Sequence, residues 1–181
     1  MKLLNEMFES FKYSACRIET LPVYKIIGDE WNRYQLFING EVREKYNSSG
    51  WSKMISDYKE MGKSVERIRV IPEELNSYLR FEIEACYVQN MIAGEKIKMI
   101  DKSKYEKLVT SITKGDYWIF DNDKVLYMQY DEDGAFLKSN LIKDDKVRKE
   151  CIKFYNVLNE KTYEINDVLR KVRNSTIKLK K

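Results

Sequence analysis

The chain contains no histidine among its 181 residues, and it is poor in cysteine (three), proline (two) and glycine (seven). The missing imidazole has the widest reach. It excludes Ser/His/Asp and Cys/His nucleophilic relays, His-x-Lys phosphodiesterase chemistry, and zinc or haem sites that need a His ligand. Any catalysis would have to run on carboxylates, Lys, Tyr, Ser or Cys. Cys16, Cys86 and Cys151 are odd in number, far apart and without a Cys-x-x-Cys spacing. That argues against a disulfide framework or a thiolate metal site and fits a reducing cytoplasm. Long apolar runs are lacking too, so no transmembrane helix is expected. Met1-Lys2-Leu3-Leu4 leads straight into Asn5-Glu6, with no apolar targeting core.

What the chain has is charge of both signs, 33 Lys+Arg against 29 Asp+Glu for a net +4. Residues 167–181 hold six of the bases and one Asp, which leaves 27 bases and 28 acids in residues 1–166. A neutral body therefore precedes a basic tail. Interspersed charges on a neutral body read as an ordinary solvated surface, so nucleic-acid binding by residues 1–166 is not expected. The length fits one domain, and no repeat, low-complexity block or linker divides it.

Hydrophobic spacing predicts an amphipathic helix over about 3–13, a short strand at 15–19 and a helix ending near the turn Asn39-Gly40. Asn47–Gly50 reads as a loop. Trp51, Met54, Ile55, Tyr58 and Met61 form a helical stripe stopped by Gly62, and Val65–Ile71 is a strand ended by Pro72. The longest helix is expected from Glu73 to about Met91, with Leu75, Leu79, Ile83 and Cys86 on one stripe. A strand at 95–100, a short helix at 102–109 and strands at 117–120, 125–130 and 136–141 follow. A helix from Asp144 to Leu158 and a last one near 161–172 complete the chain. The order implies a single α+β domain with a mixed β-sheet flanked by helices.

Arg67 and Arg69 lie two apart on a predicted strand, so both guanidinium groups share a sheet face while Ile68 and Val70 take the other. Such a pair can hold a phosphate or carboxylate ligand. It can equally satisfy an internal acid: Glu82 falls on the apolar side of the long helix near Tyr78 and Cys86, where an unpaired carboxylate would be costly, and internal pairing is preferred. Asn90 and Glu95 flank Gly94 at that helix's end, where capping and turn chemistry suffice. Asp116, Asp121 and Asp123 are dense enough to suggest a hard cation, yet they lack calcium-loop spacing and suit turns. No metal is expected. Ser103 and Ser111 have no nucleophile elbow, and no phosphate-binding glycine loop exists, so no cofactor is expected either.

Several separated blocks together resemble one family. They are Gly62-x-x-Val65-x-Arg67-Ile68-Arg69-Val70-Ile71, Leu75-Asn76-Ser77-Tyr78-Leu79-Arg80-Phe81-Glu82, Asn90-x-x-Ala93-Gly94-Glu95-x-Ile97 and Asp116-Tyr117-Trp118-Ile119-Phe120-Asp121. Phe11, Arg17-Ile18-Glu19, Tyr24 and Tyr130-Asp131-x-x-Gly134 add to them. The sequence resembles the bacterial family DUF6879 from about residue 8 to 160. The resemblance implies an intracellular protein whose relatives often lie near helix-turn-helix regulators, and it supplies no reaction. Family members place a proline just before the Leu-x-x-Tyr block, whereas here Pro72 comes earlier and Glu73-Glu74 intervene. A looser likeness, in element order alone, is to half of a phospholipase-D-like sheet of the degenerate regulatory kind. Active members of that fold need His-x-Lys.

These observations favour a non-catalytic sensing or interaction domain that works with a DNA-binding regulator, another protein or a small anionic ligand. Its expected surface is Arg67, Arg69, Tyr78, Arg80, Glu82, Asn90, Glu95, Trp118 and Asp121, with no catalytic residue. The alternatives are a His-free, Mg²⁺-assisted enzyme acting on a phosphate-containing substrate, and a nucleic-acid module using the basic tail.

Overall fold

The computed structural model describes residues 2–41 and 50–170. Strand β1 (Ser14–Glu19) pairs in parallel with β2 (Ser64–Ile71), and β2 in parallel with β3 (Lys96–Asp101). An antiparallel meander of β4 (Asp116–Phe120), β5 (Lys124–Tyr130) and β6 (Phe136–Leu141) extends the sheet from β1. The two-residue β7 (Tyr163–Glu164) closes the far edge against β3. The described residues thus form one seven-stranded mixed sheet in the order β6-β5-β4-β1-β2-β3-β7.

Alternation along the strands sorts the side chains into two faces. On one face Ile18, Ile68, Val70, Tyr117 and Ile119 meet Cys151, Phe154 and Leu158 of the long helix Asp145–Asn159. Asp144 caps that helix by accepting from the Val147 N–H at 2.9 Å. The other face is covered by α1 (Lys2–Ser10), α3 (Gly50–Glu60) and a helical run over 77–93. Here two apolar clusters are separate. Phe8, Phe11, Ala15, Val65, Trp118 and Phe120 pack at the meander side, and Ile83, Tyr87, Ile97, Met99 and Ile165 at the β3 side. Between them lies a band of charge. α2 (Asp29–Ile38) borders that band after an extended stretch through Tyr24.

The helix expected from Glu73 to about Met91 departs from its expected form. It starts at Ser77 rather than Glu73 because Asn76 takes the cap position, its side chain accepting from the Leu79 N–H at 2.8 Å. Its middle, Glu82–Cys86, is a π-helical turn between α4 (Ser77–Phe81) and α5 (Tyr87–Ala93). The expected last helix is seen as helical residues 165–170, where Ile165, Val168 and Leu169 enter the core. The loop expected at 47–50 falls outside the described residues except Gly50, which opens α3. The basic tail beyond Arg170 also lies outside them. Among the described residues no helix is long and apolar enough to cross a membrane.

Candidate functional site

Register places Arg17 beside Arg67 and Glu19 beside Arg69, and Arg17 also faces Trp118 across β4. Three arginines and an acid thereby share one sheet face. Arg67 Nη1 sits 2.6 Å from Glu19 Oε1 and its Nε 2.8 Å from Glu95 Oε1. Arg17 Nη2 reaches Glu19 Oε1 at 3.1 Å and donates to the Tyr130 hydroxyl at 3.0 Å. Arg69 Nη2 lies 2.9 Å from Glu82 Oε2, while its Nη1 donates to the Leu21 carbonyl at 2.7 Å. Tyrosines close the remaining acceptors: Tyr87 donates to Glu19 at 2.9 Å and Tyr78 to Glu82 at 2.9 Å. Asp116 accepts from Thr20 N, Thr20 Oγ1 and the Tyr24 hydroxyl. Trp51 Nε1 donates to Glu95 Oε2 at 3.1 Å.

The acids in this band respond differently. Burial opposes ionisation of Glu19, but Arg17, Arg67 and Arg69 outweigh it and hold the carboxyl well below the usual range. Burial pushes Glu82 and Asp116 up, offset only in part by Arg69 and Arg17 respectively. Glu19 is therefore the anionic centre, shared by two arginines, while Glu82 and Asp116 are acids whose ionisation burial disfavours and their arginines support. Burial also pushes Cys86 up to about 12 and Cys16 and Cys151 up to about 11. Such thiols stay protonated and are poor nucleophiles.

Beside the band opens a cavity of about 450 Å³, bounded by α1, α2, α3, the 77–93 helix and the sheet. Leu4, Phe8, Trp51 and Trp118 form one wall; Arg17, Arg33, Arg67, Glu30, Gln89 and Asn90 contribute polar groups. The aromatic wall is set edge to face, with ring centroids 5.3 Å apart for Phe8–Trp51, 4.9 Å for Phe8–Trp118 and 5.9 Å for Trp51–Trp118. Trp118 is 1% exposed, yet among the described residues its indole N–H has no acceptor, and neither does Arg17 Nε. Arg33 makes no ion pair or hydrogen bond among the described residues. Buried donors left open beside a cavity cost free energy, and an acceptor on a ligand would recover it. A second depression of about 740 Å³ lies on the far side of α2, where Ile27, Trp31, Tyr34, Tyr24 and Tyr78 make an open, mainly apolar groove.

The sequence-derived candidates divide accordingly. Arg67, Glu82, Asn90 and Trp118 line the cavity, whereas Arg69 is 0% exposed and sealed against Glu82. Glu95 belongs to the ion-pair band. Tyr78 spans two features, with its ring in the outer groove and its hydroxyl on Glu82. Asn90 is more than a helix terminator: it accepts from Ser52 Oγ at 2.9 Å across to α3. Asp121 stands apart from all of these. Its carboxylate accepts from the backbone N–H groups of Lys12, Tyr13 and Ser14, at 2.8, 2.7 and 3.0 Å, and so pins the start of β1. Arg80 is half-buried on α4 and touches neither cavity. Among the described residues no group of three or more His, Cys, Asp or Glu side chains could hold a metal ion.

Residue spacing did not reveal Glu30, Arg33, Trp51, Ser52 or Tyr87 as cavity residues. Trp51 reads as core from its stripe, and α2 carries its polar pair among exposed neighbours. The only signal was chemical, since Glu30 and Arg33 stand three apart on one helix face.

A comparison with curated proteins gives no match. The phospholipase-D-like likeness, drawn from element order, finds no support. The spaced blocks that build the arginine face and its cavity do have a counterpart: DUF6879, a domain of unknown function, matches residues 2–169, and the chain belongs to that family.

Proposed function

We propose that the chain is a non-catalytic sensing domain of the bacterial cytoplasm whose cavity on the arginine face takes a small acceptor-rich ligand. The observation that carries this reading is the set of open donors at the cavity: among the described residues the buried Trp118 indole N–H and Arg17 Nε lack acceptors, and Arg33 beside them makes no ion pair or hydrogen bond. The fixed ion pairs supply a rigid floor. Glu19, Glu82 and Glu95 already spend their oxygens on arginines and on Tyr87, Tyr78 and Trp51, so an anion placed there meets donors rather than bare acids.

α2 gives occupancy a route to the surface. Glu30 and Arg33 look into the cavity while Trp31 and Tyr34 line the outer groove, so a ligand drawn to Arg33 also fixes the groove wall. That is the arrangement a regulatory module needs, with a DNA-binding regulator or another protein as the recipient. The three unpaired thiols accord with a reducing compartment.

The test is thermal unfolding of the full chain against a panel of small anions, including acetate, benzoate, inorganic phosphate and amino acids. A ligand at about a hundred times its Kd should add about 2.7 kcal/mol, or roughly 5–10 °C in Tm for a chain of this size. Arg33→Ala should abolish the shift and leave the unliganded Tm within about 2 °C, because Arg33 makes no ion pair or hydrogen bond among the described residues and acts on half-buried Glu30 only at a distance. A panel without a stabilising member, or a shift that survives Arg33→Ala, overturns the assignment.

A further inference from the structure

We infer that the cavity recognises a zwitterion, a free α-amino acid with an apolar side chain, its carboxylate held by Arg33 and its ammonium by Glu30. This deepens the sensing reading and rests on it. Three features of the cavity converge on the same ligand.

The first is a pair of opposite charges that face the cavity without direct contact to a partner among the described residues. Glu30 and Arg33 stand one helical turn apart on α2, both line the cavity, and neither forms an ion pair or hydrogen bond among the described residues, not even with the other. Side chains at this spacing ordinarily reach one another, so two that face a cavity unpaired are set to span a molecule carrying both signs. The second is that Glu30 is the cavity's one carboxylate with both oxygens unclaimed. Glu82, the other acid in the lining, accepts from Arg69 on one oxygen and Tyr78 on the other. A dianion such as a phosphate ester would bring like charge against Glu30, whereas an ammonium group removes that repulsion. Burial pushes the Glu30 carboxyl above its ordinary range, Arg33 offsets only part of the rise, and an ammonium group in direct contact would favour its ionised form further.

The third is the apolar wall of Leu4, Phe8, Trp51 and Trp118. It offers ring edges and faces to a side chain, and the Trp118 N–H and Arg17 Nε add open donors. A volume of about 450 Å³ is in the range of small-ligand pockets. Inorganic anions would leave the aromatic wall unused, and a purely apolar molecule would leave the charged pair unused.

Isothermal titration of the full chain with L-leucine, L-phenylalanine and L-tryptophan, each beside its amide and its N-acetyl derivative, tests the inference. The free amino acid should bind at least about tenfold more tightly than either derivative, since each lacks one charge-assisted contact. Glu30→Gln should weaken the free amino acid about tenfold and leave the N-acetyl form unchanged; Arg33→Ala should weaken the free acid and leave the amide unchanged. If benzoate or N-acetyl derivatives bind as well as free amino acids, the zwitterion is wrong and the sensing reading stands. If none of the amino acids binds while another anion of the panel does, the inference fails in the same way. If nothing in either set binds, both fail.

Discussion

Replacing Arg69 by methionine removes a charge from the most enclosed place in the molecule. Arg69 is 0% exposed, its Nη2 is 2.9 Å from Glu82 Oε2, and its Nη1 holds the Leu21 carbonyl at 2.7 Å. The methionine fills much of the aliphatic volume but returns neither contact. Glu82 is left with the Tyr78 hydroxyl alone. Breaking one side of a buried ion pair costs about 3–5 kcal/mol, because the surviving charge is uncompensated. In a domain of this size that lowers Tm by roughly 6–20 °C.

The loss should also depend on pH, with a definite sign. In the folded protein burial raises the Glu82 pKa, while Arg69 offsets part of the rise. A raised carboxyl contributes stability fully below its unfolded pKa of about 4.3 and loses it as pH climbs through the folded value. Without Arg69 the folded value climbs further, so the variant's deficit is smallest in acid and grows toward neutrality. Urea denaturation of both proteins at about pH 5 and about pH 7.5 measures it, and the difference cancels titrations they share. Glu82→Gln introduced into the Arg69→Met background should recover part of the neutral-pH deficit, since the leftover charge is gone. A deficit below about 1 kcal/mol, a deficit independent of pH, or no recovery in the double variant would refute the account of Arg69 as a partner of Glu82.

Other perturbations separate scaffold from site. Asp121→Ala removes the acceptor for three backbone N–H groups at the start of β1, and should cost about 1–3 kcal/mol by urea denaturation while ligand affinity is retained. Burial pushes the Asp121 carboxyl up, but those same bonds together outweigh it and hold Asp121 below its usual range, so its contribution should be present near neutrality and fade as pH falls through that lowered value. Trp118→Phe deletes an N–H that has no acceptor, so stability should change by less than about 2 kcal/mol while ligand affinity falls. Gly134→Ala should be costly, because φ is +78° and a Cβ would lie 2.5 Å from the Val23 carbonyl; the expected loss is about 1–3 kcal/mol, read from thermal unfolding.

The sheet was legible because its strands advertise themselves. Arg67-Ile68-Arg69-Val70 alternates, Tyr117–Phe120 is followed by a polar turn, and both patterns emerge as strands with the expected faces. The pairing of Glu82 with an arginine of the neighbouring strand followed from the cost of a buried acid, and the structure supplies Arg69. What sequence could not carry was anything fixed by three-dimensional convergence. Ser52 with Asn90, Trp51 with Glu95 and Tyr87 with Glu19 join residues 38, 44 and 68 positions apart, with no local periodicity to betray them. The π-helical turn was hidden for a related reason: Leu75, Leu79, Ile83 and Cys86 satisfy an ordinary helix, so spacing gives no sign of the wider turn.

That wide turn over Glu82–Cys86 makes the residue count of the helix part of its design. A π turn accommodates one more residue than an α turn, so it sets everything after it back by about 100° relative to an unbroken helix of the same length. Tyr78 and Glu82 are set by the first half, and Tyr87 and Asn90 by the second. Deleting a single residue from 82–86 would let the helix run straight through, with its hydrogen bonds improved and its apolar content almost unchanged. Tyr87 would stay near Glu19 and Asn90 near Ser52, because the residue lost is the one the π turn absorbs. What would swing both off their partners is straightening the turn at constant length, so the extra residue and the wide turn belong together.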